Sequence, residues 1–144
     1  MRLTSTDFEQ DGPLDTRFGK KFDNVSPALA WTDVPADASS LVLTMVDTHP
    51  VARGYVHWFV DGIPAADGAY ARGAGGAVPV GRERTPYAGP FPPSGTHDYV
   101  FSLYALDASA PDLATNASVD DFLESADGHV LDAATLTGRF TKPA

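Results

Sequence analysis

The stretch HDYVFSLYALD, residues 97–107, alternates without a break. Tyr99, Phe101, Leu103 and Ala105 fall on one side of it, and Val100, Ser102, Tyr104 and Leu106 on the other. A period of two is the repeat of an extended strand, whose successive side chains point to opposite faces. Working outward, SLVLTMVD (40–47) is a β-branched and aliphatic run that ends at Asp47, and YVHWFVDGIP (55–64) is an aromatic one that closes on Asp61-Gly62 and Pro64. ATLTGRFTK (134–142) reads as a last strand and MRLTST (1–6) as a first edge strand. The Gly/Pro-rich segment 68–95 reads as a long loop, the kind that carries a functional surface. One helix is predicted over about 118–126: Ser118 can cap it, Asp120 and Asp121 suit its positive end, and Phe122 and Leu123 supply an apolar face. A second short helical turn is expected over HVLDAA (129–134). The predicted fold class is mostly β: a two-sheet antiparallel β-sandwich with Greek-key connections, long loops at one end and one or two short late helices. It is expected to form a single domain over 1–144.

Composition narrows the function classes. The formal net charge is −9, and 16 Asp stand against 3 Glu, with 7 Arg and only 3 Lys. Such a chain is a poor partner for nucleic-acid phosphates and for an anionic membrane surface. No apolar run is long enough to span a bilayer, so no membrane insertion is expected. The absence of cysteine excludes disulfides, thiolate metal ligands and cysteine nucleophiles. The N-terminal MRLTSTDFEQDGPL has no apolar core of a signal sequence, and a cytoplasmic location is expected. The excess of Asp over Lys fits either a salt-rich cytoplasm, where a charged surface keeps proteins soluble, or a GC-rich genome.

The chemistry-bearing residues concentrate in VDTHPVARGYVHWFV (46–60), which holds Asp47, His49 and His57, and in YAGPFPPSGTHDYVF (87–101). In the second, Pro90, Pro92 and Pro93 cannot donate to a sheet ladder, so they form a stiff loop before a strand. That loop delivers His97 and Tyr99, two residues apart, to one face. Three chemistries suit these side chains. A divalent-metal hydrolase could use the histidines, although their spacing follows no helical HExxH pattern. A Ser/His/Asp hydrolase lacks its GxSxG elbow. A pocket for a small anion would use imidazole N–H donors, with a carboxylate to orient one ring. A protease-inhibiting or protein-binding role for the 68–95 loop is a further alternative. Neither a cofactor nor a resident metal is expected, and a homodimer is left open.

Four segments together resemble the phosphatidylethanolamine-binding protein family, in its small bacterial and archaeal, Raf-kinase-inhibitor-like branch. NVSPALAWTDVP (24–35) is similar to the family's Asn-x-Ser-Pro-x-Leu-x-Trp segment. VDTHPVARGYVHWFVDGIP (46–64) is similar to its Asp-Pro-Asp-x-Pro stretch and His-Trp strand, YAGPFPPSGTHDYVFSLYALD (87–107) to its proline loop and following strand, and GHVLDAATLTGRFTK (128–142) to its ending. The resemblance implies a non-catalytic β-sandwich whose pocket, built from Asp47, Pro50, His57, Pro92 or Pro93, His97 and Tyr99, takes a small anion or a phosphorylated head group. It implies Tyr55, Trp58 and Tyr87 as walls and His49 at the rim, and a regulatory role, since some eukaryotic members regulate kinases or inhibit serine proteases. Two departures bear on this. The Asp-Pro-Asp-x-Pro stretch is one residue shorter here, Asp47-Thr48-His49-Pro50, and the family's Gly-x-His-Arg reads Gly95-Thr96-His97-Asp98. An Asp98 facing the pocket would repel a phosphate; an Asp98 facing outward would leave it unaffected. His49-Pro50 and Pro92-Pro93 are candidate cis bonds.

Overall fold

The alternating stretch becomes the central strand of the larger sheet in the computed structural model, which describes residues 1–144. In chain order the strands are β1 (Arg2–Thr4), β2 (Gly12–Pro13), β3 (Leu29–Thr32), β4 (Ser40–Asp47), β5 (Val56–Ile63), β6 (Gly68–Tyr70), β7 (Arg82–Thr85), β8 (Thr96–Leu106) and β9 (Val130–Thr141), with one helix, α1 (Val119–Ala126), before β9. They form a three-stranded sheet, β1-β3-β6, and a six-stranded sheet, β2-β9-β8-β4-β5-β7. Within the larger sheet β4, β5 and β7 are successive neighbours and β8 returns to lie beside β4. That spatial order is a Greek key.

The alternation of β8 sorts its side chains as expected. Tyr99, Phe101, Leu103 and Ala105 join Leu41, Leu43, Met45, Trp58 and Val60 in the core between the sheets, which Leu3, Leu29, Trp31 and Tyr70 close from the other side. The opposite face of the larger sheet is covered by α1. Val42, Phe59 and Leu106 pack there against Val119, Phe122 and Ala126. Ser118 caps α1 as predicted: its hydroxyl accepts from the Asp121 N–H, and the Asp121 carboxylate accepts from the Ser118 N–H.

Several expectations are corrected. Within the segment 129–134, residues 130–134 are strand, not helical turn, and His129 closes the turn before them. Gly128 takes φ +79° after α1, and from Leu106↔Val130 onward β9 pairs with β8 along its length. A continuous ladder partner outweighs a local helical tendency. The segment 68–95 is not an uninterrupted loop, because β6 and β7 lie within it. The sheets are not wholly antiparallel, since β2 runs parallel to β9. Both X-Pro candidates are trans.

The connectivity also brings the chemistry to one end. β4 is antiparallel to both β5 and β8, so the C-terminal end of β4 meets the N-terminal ends of the other two, with Asp47 directly opposite Tyr99. Residues distant in sequence are thereby stacked at one edge of the core.

Candidate functional site

A cavity of about 340 Å3 opens at that end, lined by Asp47, His57, His97 and Lys20, with an apolar rim that includes Tyr55 and Phe91. Each polar member is held by the backbone or by another side chain. Asp47 is buried. Its Oδ2 accepts from His97 Nδ1 at 2.6 Å, and its Oδ1 accepts the His49 N–H at 2.9 Å. The carboxylate thus fixes the His97 ring and the turn that follows β4.

His57 arrives by a local irregularity. Met45 pairs with Trp58 and Val46 with Val56, so His57 is the extra residue of a β-bulge. Strict alternation would send His57 and Trp58 to opposite faces of β5. The bulge re-aims the imidazole toward the cavity, as bulges near strand ends often do. Its Nδ1 donates to the Ala88 carbonyl at 2.6 Å, and its ring meets Tyr55 and Tyr99 edge-on, with centroids 4.8 and 5.2 Å apart. Burial lowers the His57 pKa below the ordinary histidine value; the Ala88 carbonyl and the Asp47 charge oppose the shift without cancelling it. The ring is therefore neutral at pH 7, with its proton on Nδ1.

With both Nδ1 atoms committed, the Nε2 edges of His57 and His97 are left for a ligand. Tyr99, expected in the pocket, does not line the cavity: it is fully buried beneath it, and its hydroxyl has no hydrogen-bond partner. Burial, and then the nearby Asp47 charge, raise its pKa, so the phenol keeps its proton as a donor. His49 stacks face to face on His97, centroids 4.0 Å apart, and its Nδ1 accepts the Val51 N–H. Stacked rings hold their lone pairs in parallel planes that do not converge. No group of three or more His, Asp or Glu side chains is arranged to hold a metal ion.

The remaining sequence candidates separate. Tyr55 and Pro93 line the cavity. Pro50 is exposed and starts the 3-10 turn Pro50–Ala52, and Pro92 lines a neighbouring cavity. Trp58 and Tyr87 are not walls. Trp58 is in the core, with its indole N–H donating to Glu83, and Tyr87 donates to the Phe18 carbonyl. Asp98 faces outward, paired across the strands with Arg139 at 3.3 Å, so it does not oppose a ligand in the cavity.

Sequence reasoning missed Lys20, the cation of the cavity. It is positioned by the docking of two loops. Lys20 N–H donates to the Pro90 carbonyl, and Gly89 N–H donates to Asn24 Oδ1. At Gly89 a Cβ would lie 1.9 Å from the Phe18 carbonyl oxygen, so only glycine allows this approach. The adjacent pair Lys20-Lys21 in so acidic a chain was the available signal. Val51, Ala52, Ala88 and Phe91 were also missed. They are apolar rim residues with no chemical signature of their own.

Fold and site together define a β-sandwich protein with a small cavity at its strand ends, in which Asp, His and Lys side chains meet an apolar rim. Residues 4–141 match the family model described as phosphatidylethanolamine-binding protein, and the chain belongs to that family. It is 35% identical to a UPF0098 protein of Methanothermobacter thermautotrophicus, over 99% of each chain. Among solved structures, a phosphatidylethanolamine-binding protein homologue of Chlamydia trachomatis superposes with a TM-score of 0.84 at 29% identity, covering 99% of this chain and 97% of that one. YbcL of Escherichia coli, described as a new member of the mammalian family, also gives 0.84, at 25% identity, over 99% and 98% of the two chains.

Proposed function

We propose that the cavity binds a small oxyanion of the phosphate or phosphorylated head-group type, and that the role is binding and regulatory rather than catalytic. The observation that carries this is the committed Nδ1 of both buried imidazoles, which turns two Nε2 edges toward a cavity that also contains the Lys20 ammonium. An oxyanion entering as its protonated form, or bringing a proton with it, converts one neutral Nε2 into a donor or supplies a P–OH to it.

Calorimetric titration of inorganic phosphate and of phosphorylethanolamine tests the reading. His57→Ala is expected to lose a charge-assisted hydrogen bond of about 1.5–3 kcal/mol, roughly 10- to 150-fold in affinity. Equal binding by wild type and variant, or a stoichiometric divalent metal on the histidines of untagged protein, overturns it.

A further inference from the structure

The cations of this chain are used in two ways. Five of its seven arginines pair with aspartates: Arg17 with Asp15, Arg72 with Asp7, Arg82 and Arg84 with Asp61, and Arg139 with Asp98. None of the three lysines has a carboxylate partner, yet all three stand around one exposed side chain, Phe91. Lys20 and Lys21 place their ammonium groups 6.0 and 4.5 Å from its ring centroid, and Lys142 Nζ donates to the carbonyl of nearby Pro93 at 3.0 Å. In a protein of net charge −9, the three lysines without a carboxylate partner are thus gathered at one place, beside a second cavity whose lining also includes Ala144.

This second cavity lies beside the first. It measures about 310 Å3, contains Lys21, Phe22 and Lys142, and shares Phe91 and Pro93 with the His/Asp cavity as a common wall. Phe22 and Phe91, 49% and 50% exposed, both line this cavity and give it apolar walls between the lysines. Lysine ammonium groups are mobile point charges that meet a carboxylate or phosphate without a fixed bidentate geometry.

We infer that the ligand of the His/Asp cavity is an amphiphile with two anionic groups, whose apolar middle lies over Phe91 and whose second anionic group meets Lys21 and Lys142. This rests on the anion reading of the first cavity. A small ligand is favoured over a membrane or an acidic protein by range. Charges are screened beyond about 8 Å at physiological ionic strength, so a small dianion feels the three lysines. An extended anionic surface also meets the rest of a protein whose net charge is −9.

The test compares hexylphosphonate with phosphonohexanoate, which has the same chain length and a carboxylate at the far end, by calorimetry at low salt. Wild type is expected to bind phosphonohexanoate about tenfold more tightly, with the ratio shrinking as salt is raised. In the double variant Lys21→Ala, Lys142→Ala the ratio should fall to about one. Arg2→Ala, which removes an unpaired charge from β1, should leave it unchanged. His57→Ala should weaken both phosphonates together. A ratio near one in wild type, with both phosphonates still dependent on His57, overturns this inference and leaves the cavity reading standing. Phosphonate binding indifferent to His57, or none at all, overturns both. Lysine-dependent sedimentation with phosphatidylglycerol vesicles would assign the lysines to a lipid surface and overturn the small-ligand inference.

Discussion

At the scale of the residue, His57 determines how the site responds to pH. Its folded pKa is depressed by burial, so between that value and the ordinary histidine value near 6.5 the unfolded chain binds the extra proton. Stability rises with pH wherever the unfolded state holds more protons. The contribution of His57 is therefore intact above about pH 6.5 and is lost as pH falls toward the folded value. An oxyanion stabilises the protonated ring and reverses the sign for the complex. Phosphate affinity is expected to fall as pH climbs through the raised histidine value of the bound state. Calorimetry in two buffers of different ionisation enthalpy should show net proton uptake on binding at about pH 7; release would refute it. Asp98 supplies a contrasting residue. It is paired outward with Arg139, about half exposed, and such surface pairs are worth about 0–1 kcal/mol. Asp98→Arg should change phosphate affinity less than threefold and stability by about 1 kcal/mol at most. A strong gain in affinity would place the side chain in the cavity.

Elements are tied together by a second polar cluster, remote from the cavity. Asp61 on β5 accepts from Arg82 at 3.0 Å and from Arg84 at 2.7 Å, and the nearly buried Arg84 also donates to the carbonyls of Leu113, Ala114 and Thr115. One guanidinium thus anchors the segment that leads into α1, whose apolar face then covers Val42 and Phe59. Burial alone would raise the Asp61 pKa; hydrogen bonds from Arg82 and Arg84 outweigh it and lower the value. Its stabilising contribution is present above the ordinary carboxylate range and disappears as pH falls through the depressed folded value. Asp61→Ala leaves Arg84 buried without its anion, and a loss of about 3–5 kcal/mol is expected from denaturant unfolding. A loss under about 1 kcal/mol would show that the cluster does not hold the element.

For the whole molecule, charge sets the response to salt. Nineteen acidic side chains against ten basic ones give self-repulsion that added salt screens. The melting temperature is expected to climb between low and molar salt, and a flat or falling profile would refute this. The competing effect is the loss of ion pairs such as Arg17–Asp15 and Arg139–Asp98. These lie at the surface, where each is worth little, so the global repulsion is expected to dominate.

Much of this molecule was legible in order of residues alone. The period of two in 97–107, the β-branched run 40–47 and the Ser118 cap specified β4, β8 and α1, because alternation and capping are local consequences of backbone geometry. Asp47, His57, His97, Tyr55 and Pro93 could likewise be singled out by residue type and position. Tertiary structure alone decided how they meet. Only the ladder with β8 made 130–134 a strand. Only the bulge opposite Met45 and Val46 turned His57 to the cavity, and only the pairing of Trp58 with Met45 placed Trp58 in the core instead of the wall. Only the cross-strand register placed Asp98 opposite Arg139 and away from the ligand. Lys20 and Phe91 lie about seventy positions apart in the chain, and the close approach at Gly89 puts them side by side. Pairing register and loop docking are set by partners far along the chain, and the energies that select them do not act between neighbours in sequence.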